Sequence, residues 1–373
     1  MEFSLNKQGL FKELNLLQGV VEKKNTIPIL SNVLIETTSE SLISLVATDL
    51  DVSLKTECAA DVTRPGAVVL QARKLFDIVR NLPDADINFI REDNNWVKVI
   101  CGAAEFKVVG QAKEHFPETP KAEKKGFQLP SAVLNSLINR TIYAITQEES
   151  RYALNGALFL LADDKIQMVA TDGHRLALAT GKLETPAGYD KSEPLRAIIP
   201  KKALAELAKL TAGSEEALEF AKDENHLYFK LGQRELTSRM LSGQFPNYEM
   251  VLPKNNDKVI PINANKLAQA IRRAALMADE RSHGVRFEFG SGRINISSQS
   301  ADVGEAREVL PIDYDGESVS IGFNANYLLD FFNVVGSEEV IFEFKDGQSP
   351  ALMRPVEAGQ QEYQYVIMPM RLM

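Results

Sequence analysis

The chain has 373 residues, of which 45% are hydrophobic and 25% charged; this is the balance of a globular protein of two or three domains, and it excludes disorder and collagen-like repeats. No apolar run reaches the roughly 18 residues of a membrane span. The start, Met1-Glu2-Phe3-Ser4-Leu5-Asn6-Lys7, has an early acid in place of a signal-like run, so a cytoplasmic location is expected. The net charge of −9 counts against nucleic-acid binding unless positive charge is gathered locally.

Along the chain, the order helix, strands, helix, strands recurs three times. The first unit opens with a helix over residues 7–24, in which Leu10, Leu14, Leu17 and Val21 fall on one face. Strand residues Val33, Ile35, Leu42 and Leu45 lead to the cluster Ala47-Thr48-Asp49-Leu50. A helix over 73–80 and strands over 96–109 follow, and the unit closes at Glu114-His115-Phe116-Pro117. The second unit has helices over 131–141 and 201–210, the cluster Ala170-Thr171-Asp172-Gly173, and a close at Phe245-Pro246-Asn247-Tyr248. In the third, helices over 265–277 and 324–334 flank the cluster Ser297-Ser298-Gln299-Ser300, and the chain ends in Tyr365-Val366-Ile367-Met368-Pro369-Met370-Arg371-Leu372. Closing passages spaced about 120 to 130 residues apart mark an internal repeat. The expectation is an α+β protein with antiparallel sheets and three repeated domains, 1–125, 126–253 and 254–373.

Charge is distributed unevenly over these elements. The six helices together carry a net +9 in a chain of net −9, so the remainder is strongly acidic. Arg73, Asp77 and Arg80 share one helix face opposite Leu75, Phe76 and Val79; Lys266, Gln269 and Arg273 share another opposite Leu267 and Ile271. Basic faces of this kind suit a channel for DNA, although ordinary solvated helices give the same count.

Catalytic signals are weak. Asp172, His174 and Arg175 lie together, but no second carboxylate or histidine stands at ligand spacing, and GxSxG and GxxxxGK motifs are absent. Asp49 and Asp172, at equivalent repeat positions, read as turn residues before they read as a metal pair. Gly290-Ser291-Gly292 reads as a hairpin turn. Cys58 and Cys101 lack CxxC spacing and read as reduced, buried packing residues, and His115, His174, His226 and His283 are scattered, so neither metal nor cofactor is expected. A hydrolase using Asp49, Asp172 and His174, and a repeat scaffold that binds proteins without DNA, are the competing readings.

Several passages in order, Thr26-Ile27-Pro28-Ile29-Leu30-Ser31-Asn32, Ala47-Thr48-Asp49-Leu50, Ala72-Arg73-Lys74, Arg151-Tyr152-Ala153-Leu154-Asn155-Gly156, Ala170 to Leu176, Phe245 to Tyr248 and the terminal Tyr365 to Leu372, give the chain an end-to-end resemblance to the β subunit of bacterial DNA polymerase III, the β sliding clamp family. The resemblance implies a non-catalytic processivity factor. It would be a head-to-tail homodimer closed into a ring, with helices lining a channel around duplex DNA and sheets outside. A clamp loader would open it, and the polymerase III catalytic subunit, other polymerases and repair proteins would dock linear peptides. By motif, the peptide pocket falls on Leu154, Thr171, Gly173, His174, Arg175 and Leu176, on Pro246 and Val251, and on Val366, Met368, Pro369, Met370 and Arg371. Lys24 and Arg73 match DNA-contact positions, Tyr152 adjoins another, and Lys201, Lys202, Lys266 and Arg273 extend the set along the basic helices. Phe106 and Val108 of one chain would face Leu276 and Met277 of the next. Met250 stands where some members have arginine, Ala153 where some have a second tyrosine, and Met373 extends the usual terminal leucine.

Overall fold

Side chains that alternate between buried and exposed, as in Asp86–Arg91 and Glu339–Phe344, make strands with one face against a core. In the computed structural model, which describes residues 1–22, 27–123, 126–146, 148, 150–162, 164–183, 189, 194–357, 359 and 361–371, such strands form four antiparallel sheets of five, nine, eight and four strands. Among the described residues there are six α-helices: α1 (Lys7–Leu17), α2 (Ala72–Asn81), α3 (Ser131–Thr141), α4 (Lys201–Thr211), α5 (Ala264–Ala275) and α6 (Ala325–Val334). The α+β expectation therefore holds. Asparagine side chains fix three of the helix starts: Asn6 accepts from the Gln8 N–H, Asn263 from Lys266, and Asn324 from Asn326 and Tyr327.

The first helix is shorter than the periodicity over 7–24 predicts. Val21 lies past its end, although Leu10, Leu14 and Leu17 are buried as expected. After Leu17 the N–H groups of Gly19 and Val20 bond to Leu16 and Leu17 in tightened turns. Gly19 is pressed against the buried Glu206 carboxylate of α4, where a Cβ would collide.

The three repeats are visible as matching strand quartets. Ala67–Gln71, Asn32–Ser39, Leu42–Thr48 and Val52–Ala59 lie side by side in that order. So do Leu195–Pro200, Gly156–Ala162, Lys165–Thr171 and Arg175–Lys182, and again Val319–Asn324, Gly284–Gly290, Arg293–Ser300 and Gly304–Pro311. A second kind of quartet also occurs three times, ending in Ala104–Val108, Arg234–Arg239 and Gln361–Ile367. Two joints connect the kinds: Val52–Ala59 pairs with Arg234–Arg239, and Arg175–Lys182 with Gln361–Ile367. Gly304–Pro311 and Ala104–Val108 remain as sheet edges. Sheets continue from one repeat into the next, and the described chain gathers into two compact units, each holding one joint. One comprises chiefly Met1–Asn135 and Lys202–Met240, the other chiefly Ser136–Thr185, Asp190–Lys201 and Leu241–Met373. The Gly290 to Arg293 segment is a hairpin turn, with Gly290 paired to Arg293 and Gly292 at φ +70°.

In the first unit the joint is reinforced by an ion pair between buried Glu13 and half-buried Arg234. Glu13 on α1 accepts from Arg234 Nε at 2.8 Å and Nη2 at 2.5 Å, and from Thr56 Oγ1 at 2.5 Å. Burial alone would push the Glu13 carboxyl up, but the Arg234 and Thr56 bonds outweigh it and hold the group below its ordinary 4.5. A folded-state value below the unfolded one means that this stabilisation is complete above the ordinary carboxyl range and lost as pH falls through the lowered value. Arg234→Met strands the carboxylate and is expected to cost about 3 to 5 kcal/mol at pH 7 in urea unfolding, with the deficit shrinking at acid pH. A deficit independent of pH would contradict this account. Nearby Cys58 is free and buried, its thiol pushed up to about 12 by burial and by the Glu13 carboxylate; Cys101 is likewise free and buried.

Candidate partner-binding pocket and basic surfaces

The repeated Ala-Thr-Asp clusters fold alike. Asp49 accepts from the N–H groups of Asp51 and Val52 at 2.9 and 2.6 Å, and Asp172 from those of His174 and Arg175 at 2.9 and 3.0 Å. Thr48 and Thr171 hydroxyls accept from Leu50 and Gly173. The residues after both aspartates have left-handed backbone, φ +82° at Leu50 and +89° at Gly173. Both aspartates are thus spent on closing a turn. Among the described residues no group of three or more His, Cys, Asp or Glu is arranged to hold a metal, and Asp172 is further bound to Arg175 at 3.0 Å. The hydrolase reading thereby loses both of its carboxylates to turn closure and ion pairing.

In the second unit, strand alternation collects apolar side chains on one sheet face. Leu158, Val169, Leu176, Leu178, Ile198, Leu352 and Val366 form one cluster with Phe245 and Tyr248, and Leu154 and Leu252 pack against it. Thr171, two residues beyond Val169, shares that face. The terminal strand ends at Ile367, and its ladder runs one step further through the Met368 N–H to His174 O at 2.9 Å. Met250, Val251 and Met368 are 81%, 41% and 39% exposed, apolar side chains that water alone does not favour. Pro246, Gly173, His174 and Arg371 are exposed, and Pro369 and Met370 half-buried. The Met370 N–H is tied to Gly322 O at 2.8 Å. Arg175 differs from the rest: it precedes Leu176 on the strand, so its side chain leaves the opposite face, and it is buried. Sequence reading passed over Val169, Leu178, Ile198 and Leu352. The first two were legible as i−2 and i+2 neighbours of Thr171 and Leu176.

The same register in the first unit builds a different surface. Leu34, Val69 and Phe116, with Val46, repeat the Leu158, Ile198, Phe245 and Val169 core. Across the joint, however, Ser53, Lys55, Tyr228 and Thr237 stand at the register positions of Leu176, Leu178, Leu352 and Val366. Those four residues, together with Thr119 to Glu123, line a cavity of about 370 Å³. Hydroxyl and ammonium groups there prefer water to an apolar peptide. The second joint therefore carries an apolar cluster where the first carries polar side chains.

The basic residues separate by partner. Arg73 and Lys266 are exposed and have no ion-pair partner among the described residues. Arg273 is held by Glu308 at 2.8 and 2.7 Å. Lys202 pairs with Asp49 and, at 3.8 Å, with Glu22. The Lys201 ammonium donates to Ile145 O at 3.4 Å, and burial followed by the Arg175 charge pushes its pKa down. Exposed pairs such as Arg273 with Glu308 are screened by water, weak enough for a phosphate to displace the carboxylate. Tyr152 is half exposed; Lys24 lies outside the described residues. Phe106 is on the Ala104–Val108 edge strand, 39% exposed, with Val108 half-buried, and Leu276, 74% exposed, caps α5 beside half-buried Met277.

Three family models match the chain in succession: the DNA polymerase III beta subunit N-terminal domain over residues 1–120, its central domain over 128–247 and its C-terminal domain over 249–371. The beta sliding clamp of Pseudomonas putida is 35% identical over 374 residues, with 100% of both chains covered. Among solved structures, the DNA polymerase III subunit beta from Pseudomonas aeruginosa is similar with a TM-score of 0.91 at 33% identity. The sliding clamp from Bartonella birtlesii bound to griselimycin is similar with 0.93 at 34%, and both comparisons cover 100% of each chain. Repeat, sheet order and full-length identity agree, and the chain belongs to the β sliding clamp family, the β subunit of DNA polymerase III.

Proposed function

We propose that two copies of the chain close head to tail into a ring around duplex DNA and tether the replicative polymerase, the clamp loader and repair proteins through linear peptides, with no catalysis of their own. The carrying observation is the order of the sheet joints. A strand from the first repeat meets one from the second, and a strand from the second meets one from the third. A third joint of the same kind would pair Gly304–Pro311 with Ala104–Val108, the two counterparts of the joint strands that lie at sheet edges among the described residues. Supplied by a second chain, that joint is heterologous, and a heterologous contact that closes makes a ring. The division into domains 1–125, 126–253 and 254–373 is part of this proposal, supported by the three family matches. No helix among the described residues is long and apolar enough to cross a membrane, in keeping with a cytoplasmic replication factor.

On this reading Arg73, Lys201, Lys202, Lys266 and Arg273, with Lys24 and Tyr152, meet the DNA backbone without sequence preference. The pocket at the second joint takes one partner peptide per chain. Direct phosphate contacts release counterions and weaken steeply with salt, whereas retention by topology does not. Rings loaded on a nicked circle are therefore expected to stay bound at salt that abolishes direct binding, and to leave once the circle is linearised. Equal release from circular and linear DNA, read by gel filtration of labelled protein, would refute encirclement.

A further inference from the structure

We infer that Arg175 acts on the pocket as a positioning residue, its guanidinium linking the Asp172 to His174 rim turn to Asp330 and Tyr327 of α6, so that α6 sets the rim. The inference rests on the peptide-pocket reading above and adds a residue outside the pocket, Asp330, to what controls binding.

Arg175 is 8% exposed, and strand alternation sends its side chain away from the face that carries Leu176. Its donors are committed: Nε to Asp172 Oδ2 at 3.0 Å, Nη1 to Asp330 Oδ2 at 2.5 Å and Nη2 to Tyr143 O at 2.8 Å. Its guanidinium also lies against two aromatic rings, 5.2 Å from the Tyr143 centroid and 4.3 Å from that of Tyr327. A planar fork with two carboxylates and two rings fixes direction as well as charge, which a lysine cannot reproduce. Two further ties run from α6 to the same rim. His174 stacks on Tyr327 at 6.4 Å, and Tyr365, on the terminal strand that leads to Met368, donates its hydroxyl to Tyr327 O at 2.8 Å. The Asp172 turn is in turn the element that presents His174 and, through the His174 carbonyl, holds the Met368 N–H. Asp330 thus reaches the Asp172 to His174 turn through Arg175, and Tyr327 of the same helix reaches the terminal strand through Tyr365.

Removing the Asp330 charge frees one side of the guanidinium while Asp172 keeps the other, so the fold is retained and the turn is loosened. The test uses the full-length dimer and a peptide from the C-terminal tail of a polymerase III catalytic subunit, titrated by calorimetry. The His174 ring is followed by NMR, which is tractable with four histidines in the chain. Asp330→Asn is expected to raise the peptide Kd roughly tenfold and to shift the His174 resonance, with dimer mass unchanged; Asp330→Glu, which can still reach the guanidinium, is expected to restore most of both. Wild-type affinity and an unmoved His174 signal in Asp330→Asn would overturn the inference, as would a loss that Asp330→Glu fails to restore. If Asp330→Asn unfolds, Arg175→Lys carries the test, and unaltered affinity in that variant overturns the inference equally. Peptide binding by wild type that Met368→Lys leaves intact would instead defeat the pocket reading itself, and this inference with it.

Discussion

Leu276→Ala combined with Met277→Lys is expected to convert the protein to monomers. Leu276 is 74% exposed at the end of α5, so it does little for the folded chain and is free to be buried by a partner. Burying a side chain of this size stabilises an interface by about 1.5 to 3 kcal/mol. A lysine in place of Met277 adds the penalty of an unpaired charge at the same surface. Together the two changes amount to roughly 4 kcal/mol or more, about a thousandfold in the dimer constant. Sedimentation should then report the single-chain mass of 41.4 kDa, with unaltered circular dichroism and no retention on nicked circles. Phe106→Lys, on the opposite partner of the proposed joint, should do the same. A double variant that sediments like wild type would show that the chains meet elsewhere.

Met368→Lys is expected to abolish peptide binding, raising Kd about a hundredfold or more, while leaving dimer and melting temperature nearly unchanged. Met368 follows the last residue of the Gln361–Ile367 strand and is 39% exposed. Its side chain therefore gives little to the core, and a flexible thioether suits a surface that must fit several partners. An ammonium at this position is comfortable in water and costly beneath an apolar peptide side chain. Deleting residues 370–373 should act similarly. It removes the Met370 bond to Gly322, worth about 0.5 to 1.5 kcal/mol, but leaves the strand and its Leu176 to Val366 pairing intact. A large fall in melting temperature in either variant would mark the tail as core; unchanged affinity in a folded variant would move the pocket elsewhere.

The sequence by itself determined the repeat, the class and the places of the helices, because these are local. Leu75 and Val79 on one face of α2 and the turn roles of Asp49 and Asp172 depend on residues a few positions apart. What only the tertiary structure decided involves partners far apart in the chain. Arg175, close in sequence to pocket residues, is claimed by Asp330 across 155 positions, and Lys202, one of the basic set, is engaged by Asp49 across 153. Glu13, on the polar side of an amphipathic helix, is buried because Arg234 reaches it from 221 positions away. The close approach of Glu206 to Gly19, just past the end of α1, is recorded by no periodicity within the helix. The difference between the two joints is of the same kind: whether four apolar side chains, Leu176, Leu178, Leu352 and Val366, or Ser53, Lys55, Tyr228 and Thr237 come together depends on cross-strand pairing. Register between distant strands is a property of the folded sheet, since alternation gives each strand its two faces but not its neighbour.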